Sequence, residues 1–142
     1  MADYKSIPDA LYSAFAAGLD YRVIRRVMPM AGGQVLKEDI RIDSNLTLVG
    51  AFAILPGTAD APATMGAWDL DIQKNGTTCL SGPQSMKGLS AQSESSLSGA
   101  INANGTEVFG AGDFCRVHLS SDNTDLSGVT NGLVVHLVLR PQ

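Results

Sequence analysis

The side chains that could hold a cation lie together in one polar stretch near the C-terminus. Asp122, Asn123 and Asp125 offer carboxylate and amide oxygens, which are the ligands that Ca²⁺ prefers. An EF-hand loop also needs a bidentate Glu and a Gly at fixed positions, and the spacing here does not complete such a loop. Because Asp and Asn are common in turns through their own hydrogen bonds to the backbone, we predict a turn, with no metal and no cofactor.

Thiol and imidazole groups could in principle form a nucleophilic pair, with Cys79 or Cys115 beside His118 or His136. Both cysteines, however, fall in phase with the apolar positions of predicted strands, where a thiol acts as a small hydrophobic side chain. The two histidines fall on the opposite side of their strands and would meet only if those strands were neighbours. No third zinc ligand lies in register with them. We therefore predict no catalytic residue and no enzyme, and whether the two cysteines pair stays open.

A strand followed by a tight turn is predicted for residues 68–76. Apolar and polar residues alternate from Trp68 onward, which is typical of a strand with one buried face. Asn75 and Gly76 tolerate the positive φ angles that a two-residue hairpin turn requires. Asp69 and Asp71 share the other face of the strand, which we interpret as a solvated or intermolecular contact surface.

Composition limits the possible functions. The chain has 142 residues, 44% of them hydrophobic, which is enough for one domain with a buried core. The net charge is −4 and no basic stripe is visible, so we expect no nucleic-acid partner. No apolar run approaches the roughly 20 residues that span a bilayer, and no signal segment opens the chain, so we expect no membrane partner and synthesis in a cytoplasm.

One short helix is predicted, over residues 6–18. Ile7, Leu11 and Phe15 fall at helical spacing and form one apolar stripe. A helix this short is marginal alone, so it must pack on its own domain or on a partner.

The remainder of the chain contains about eight strand candidates separated by turns. The strand predicted near residues 21–30 has mixed faces, which favours an edge or an interface. Residues 81–99 are rich in Ser and Gly, yet Leu89 and Leu97 indicate that this segment crosses the core. We predict an all-β fold, an antiparallel β-sandwich of the jelly-roll type. Residues 1–45 would supply the helix or arm and the first strands, and residues 46–142 the sandwich, within one compact domain.

The order of features over residues 46–140 resembles the small jelly-roll modules on the capsids, head fibres and tails of tailed bacteriophages. It is distantly similar to C1q/TNF-like trimeric jelly rolls. The shared features are the Lys-Asn-Gly turn at Asn75, the Gly-Asp corner at Gly112 and a last strand opening with Gly-Leu at Gly132.

This resemblance implies a structural virion protein, made in the host cytoplasm and located on the capsid surface. It implies a capsid decoration (cement) protein that binds the major capsid protein, forms a homotrimer and stabilises the phage head. The alternative is a head-fibre or tail receptor-binding module that recognises a host glycan or protein. Exposed aromatic side chains on a concave face would favour that alternative.

Under the decoration hypothesis, the first 45 residues include an arm that contacts the capsid or a neighbouring subunit. A second explanation, that the helix only caps an open end of its own sandwich, stays equally open. The candidate contact residues are Ile7, Leu11, Phe15, Arg22, Arg25 and Arg26.

Overall fold

A computed structural model describes residues 21–28, 35–56, 67–90, 92–102, 105–121 and 132–142. These residues form ten β-strands and one 3₁₀ turn, Ser98–Ala100. The strands are β1 (Arg22–Met28), β2 (Leu36–Arg41), β3 (Leu46–Ile54), β4 (Trp68–Lys74), β5 (Thr77–Thr78), β6 (Gln84–Ser85), β7 (Glu94–Ser96), β8 (Val108–Phe109), β9 (Phe114–Ser121) and β10 (Leu133–Pro141). The helix predicted over residues 6–18 and the Asp122–Asn123–Asp125 stretch lie outside the described residues.

The strands of the described residues form two antiparallel sheets. Sheet A has the order β1-β10-β3-β7, and sheet B has the order β2-β9-β4-β5. Strand β8 pairs with β3 on the side that β7 also uses, and β6 pairs with β4 on the side that β5 uses. The ten strands therefore occupy eight positions, four in each sheet. The order in which the chain passes through these positions is that of a jelly roll. The predicted all-β sandwich is confirmed.

The hairpin predicted around Asn75 is present. Asn75 has φ 50° and Gly76 has φ 91°, as a type I′ turn requires, and Lys74 pairs with Thr77 across it. The inner face of β4 is fully buried, with Trp68 0% exposed. The turn chemistry and the alternating pattern thus act together, because the turn fixes the register that places every second residue of β4 in the core.

The core lies between the two sheets, and the central strands β3, β4, β9 and β10 contribute most of it. Leu97 is buried and Leu89 is partly buried against the same cluster, which confirms that residues 81–99 contribute to the core. The largest fully buried side chains are Trp68, Phe109, Met28, Ile42, Leu48, Ile54, Leu55, Leu70, Ile72, Leu80, Leu97 and Leu119.

The start of β10 explains the Gly-Leu feature of the sequence. Gly132 has φ 77°, and a Cβ added there would lie 2.7 Å from the carbonyl oxygen of Met28, the last residue of β1. Only glycine allows the two backbones to approach this closely at a positive φ.

The outer faces of the two sheets differ. On sheet A, Phe52 and Val138 form a second apolar cluster with Tyr21, Val23 and Val49. On sheet B, the outer residues of β2, β4 and β9 are mostly polar and partly or fully exposed. Sheet B therefore presents the face that can offer hydrogen bonds to a ligand.

Among the described residues, no helix is long and apolar enough to cross a membrane.

Candidate functional site

A depression of about 310 Å³ lies on the outer face of sheet B, at the end where the β4–β5 turn meets β9. It is lined by Asp39, Asn75, Gly76, Phe114 and Arg116. The register between β2 and β9 builds one wall, because it places Asp39 directly opposite Arg116. Two strands, β2 and β9, and the β4–β5 turn thus meet at this spot, with no contribution from a long loop.

The wall formed by Asp39 and Arg116 is a bidentate ion pair. Arg116 Nε donates to Asp39 Oδ1 at 2.6 Å and Nη2 donates to Oδ2 at 3.0 Å. This hydrogen bonding holds the pKa of Asp39 below its usual value and raises the pKa of Arg116. Both groups are therefore charged at neutral pH, and their parallel alignment fixes the planes of both side chains.

The opposite wall is held by Asn75. Its Oδ1 accepts from Phe114 N at 2.9 Å, its own N donates to Phe114 O at 2.9 Å, and its Nδ2 donates to Asp113 Oδ1 at 3.0 Å. Asp113 Oδ2 accepts from Gly110 N, and these hydrogen bonds, the one from Gly110 first, lower the pKa of Asp113. These hydrogen bonds therefore fix the hairpin turn to β9.

Phe114 supplies the apolar part of the depression. Its side chain is 46% exposed, while its neighbour Cys115 is fully buried on the other face of β9. A ligand that lies on this ring would cover apolar surface, and the fixed polar groups beside it could orient that ligand. Phe114 is not among the residues predicted from the sequence. One feature of the sequence does point to it. Phe114 occupies a position among the polar residues of its strand, and the apolar residues that alternate with them are Cys115, Val117 and Leu119.

The predicted contact residues divide between described and undescribed parts of the chain. Arg22, Arg25 and Arg26 lie on β1, which is an edge strand of sheet A, as its mixed faces indicated. Arg22 Nη1 donates to Ser44 Oγ at 3.0 Å, and Arg26 Nε lies 3.6 Å from Glu38 Oε1. Arg25 is exposed, and its guanidinium forms no ion pair with any described residue. Ile7, Leu11 and Phe15 lie outside the described residues.

The two carboxylates on β4 have different environments. Asp69 is exposed, whereas Asp71 is 4% exposed and accepts hydrogen bonds from Thr78 Oγ1 and Gln73 Nε2. Asp71 therefore stabilises the β4–β5 hairpin, and the candidate contact surface on this strand retains only Asp69.

The cysteines and histidines do not come together. Both cysteines are free, buried on the inner face of sheet B, and burial raises the pKa of each thiol to about 12. His118 lies on the outer face of that sheet, as its position opposite the apolar series predicts, and His136 lies in sheet A, where it is buried. Neither a Cys-His pair nor a His-His pair is thus formed. Groups of three or more His, Cys, Asp or Glu that could hold a metal are absent from the described ranges.

Comparison of the chain with protein-family models, with curated proteins and with solved structures finds no match.

Proposed function

We propose that the protein is a structural component of a bacteriophage particle, a decoration protein that binds the outer surface of the capsid and stabilises the head. The observation that carries the proposal is the arginine-bearing edge strand of a jelly-roll sandwich. Strand β1 has no strand neighbour on its outer side in the described part of the chain, and Arg22 and Arg25 are exposed along it.

The edge strand offers a contact that the rest of the surface does not. A charged edge resists pairing with a second copy of itself, because antiparallel β1 strands would bring arginines together. The same charges attract an acidic partner surface and orient the encounter. The protein carries a net charge of −4, so this local excess of positive charge defines one preferred side for the capsid protein.

The stabilising mechanism is bridging. A homotrimer would present three such edges, and simultaneous contacts with several capsid subunits would raise the overall affinity above that of any single contact. Particle binding and trimer formation are measured separately, the first by co-sedimentation with heads and the second by light scattering after gel filtration.

A matched pair of charge reversals tests the contact. Arg25→Glu should weaken co-sedimentation with decoration-free heads about five-fold per subunit, as for the loss of a partly exposed charge pair, and more in the trimer. Lys87→Glu changes the net charge equally, at an exposed position in the turn after β6, and should leave binding unchanged. Equal binding by both variants would remove β1 from the interface.

The second candidate function is recognition of a host surface by a head-fibre or tail module. The depression at Phe114 favours it, because an exposed aromatic ring on a concave surface is the feature that such a module needs. Low-resolution imaging of labelled particles separates the two functions. A regular lattice over the capsid supports decoration, and a location at the tail tip or a fibre end supports recognition.

A further inference from the structure

Beside the Phe114 depression, strand β2 carries an exposed arginine, Arg41. Arg41 pairs in register with Phe114 on the outer face of sheet B, which places the two Cβ atoms about 4.5–5.5 Å apart. Arg41 is exposed and forms no ion pair with any described residue. Arg116 offsets the charge of Asp39, and Lys74 Nζ lies 4.0 Å from Asp113 Oδ2, so Arg41 is the cation at this corner that no described carboxylate pairs with.

The polar wall still has hydrogen-bonding capacity. Arg116 uses its Nε and Nη2 groups for Asp39 and keeps further N–H groups, while each Asp39 oxygen accepts only one hydrogen bond and can accept another. Fixed donors and acceptors therefore lie side by side, which suits a ligand with several hydroxyl groups.

The turn leaves room for a ligand to approach the backbone. Gly76 lines the depression, and no atom lies within 4 Å of the position that a Cβ would occupy there. The exposed Phe114 ring offers an apolar surface of the size on which the C–H face of a sugar ring can lie.

We propose that this depression binds an acidic sugar, a pyranose ring that carries a carboxylate. The C–H face of the sugar lies on Phe114, its hydroxyls bind Asp39 and Arg116, and its carboxylate pairs with Arg41. The proposal deepens the recognition function, and the residues it uses are not those of the arginine edge on β1.

The test is a titration of the full-length ¹⁵N-labelled protein with sodium D-glucuronate and, separately, with uncharged D-glucose. Both sugars should shift the amide signals of residues 39, 41, 75, 76, 114 and 116. Glucuronate should bind about two- to five-fold more tightly than glucose, as one partly exposed ion pair allows, and the difference should vanish at high salt.

Single substitutions test the contribution of each side chain to the proposed site. Arg41→Ala should lower glucuronate binding to the glucose level and leave glucose unaffected. Phe114→Ala should abolish binding of both sugars, and Phe114→Leu, which keeps apolar bulk at this exposed position, should weaken both. Val35→Ala removes an exposed apolar side chain just before β2, outside the depression, and should change neither.

Shifts that lie elsewhere, or undiminished binding by Phe114→Ala, would overturn the proposal. Binding of an acidic peptide with no response to either sugar would also overturn it, in favour of a protein ligand. Failure here leaves the decoration function standing if Arg25→Glu still weakens particle binding, so the two proposals fail separately.

Discussion

Cys79 and Cys115 lie on either side of β4, on the inner face of sheet B. Cys115 pairs in register with Lys74, and Cys79 N donates to Ile72 O from the other side of the strand. Two inter-strand spacings, about 9–10 Å, therefore separate the two chain segments, which is beyond the Cα distance of about 7 Å that a disulfide permits. Burial thus leaves the protein with two protonated thiols that are neither bridged nor nucleophilic.

Because of these thiols, the free energy of unfolding should fall at alkaline pH. Burial raises the pKa of Cys115 from 9.0 to about 12, so above pH 9 the unfolded chain loses this proton before the folded protein does. Stability is therefore complete below pH 9 and is lost as the pH rises toward 12, by about 1.4 kcal/mol per pH unit for this thiol. When urea unfolding is measured at pH 8 and at pH 10.5, the free energy of unfolding should fall by about 2 kcal/mol less in Cys115→Ala than in the wild type. Parallel pH curves for the two proteins would contradict the assignment.

Trp68 is the largest side chain in the core, and we expect its truncation to be costly. Trp68→Ala should lower the free energy of unfolding by about 3–5 kcal/mol, because it removes buried apolar surface and leaves a cavity. Trp68 Nε1 donates to no described residue, so Trp68→Phe gives up no hydrogen bond and should cost less than half as much. Chemical denaturation measures both. A near-neutral Trp68→Ala would place the indole on the surface and favour the recognition function.

The β4–β5 hairpin depends on its turn, and one substitution tests this. Gly76 has φ 91°, so Gly76→Ala should destabilise the protein by about 1–2 kcal/mol, although no atom obstructs the new methyl group. Gly99 also has open space at its Cβ position but does not have a positive φ, so Gly99→Ala is the matched control and should change stability by less than about 0.5 kcal/mol. Equal effects in thermal or urea unfolding would show that the turn does not set the register.

Elements with long alternating patterns could be predicted from the sequence. The hairpin at Asn75, with its partner strand β5, and the edge character of β1 are confirmed, because turn chemistry and the alternating pattern are local features. The core contribution of Leu97 is also confirmed, from an isolated apolar residue in a polar stretch. The short strands β6 to β8 could not be predicted, since two or three residues are too few to show a period. Their hydrogen bonds come from the central strands they lie beside.

The candidate site could be predicted only in part. Asp39, Arg41, Phe114 and Arg116 become neighbours because β2 pairs with β9, a contact between segments more than 70 residues apart. Nothing local specifies that pairing. The sequence does show that Phe114 lies out of phase with its strand's apolar series, and that is the signal by which an exposed aromatic of this kind can be sought.

At the scale of the whole molecule, the two sheets have different surfaces. The outer face of sheet A carries the apolar cluster of Phe52 and Val138 beside the buried His136, whereas the outer face of sheet B is mostly polar and carries the Phe114 depression. The arginine-bearing edge and the depression use different residues, but the two surfaces are neighbours, because Arg26 of β1 lies 3.6 Å from Glu38 of β2. The decoration and recognition proposals are therefore tested by separate substitutions.

A truncation of the full-length protein tests the role of residues 1–20. The described strands begin at Arg22 and form both sheets, and we expect a protein lacking residues 1–20 to fold and unfold cooperatively. Under the decoration hypothesis it should lose particle binding, because the apolar stripe of Ile7, Leu11 and Phe15 is removed. A full-length variant with these three residues changed to Ser controls for chain length and should behave in the same way. Co-sedimentation and thermal unfolding are measured together on both proteins. Undiminished binding combined with a lower unfolding temperature would contradict the arm hypothesis and favour a helix that packs on its own sandwich.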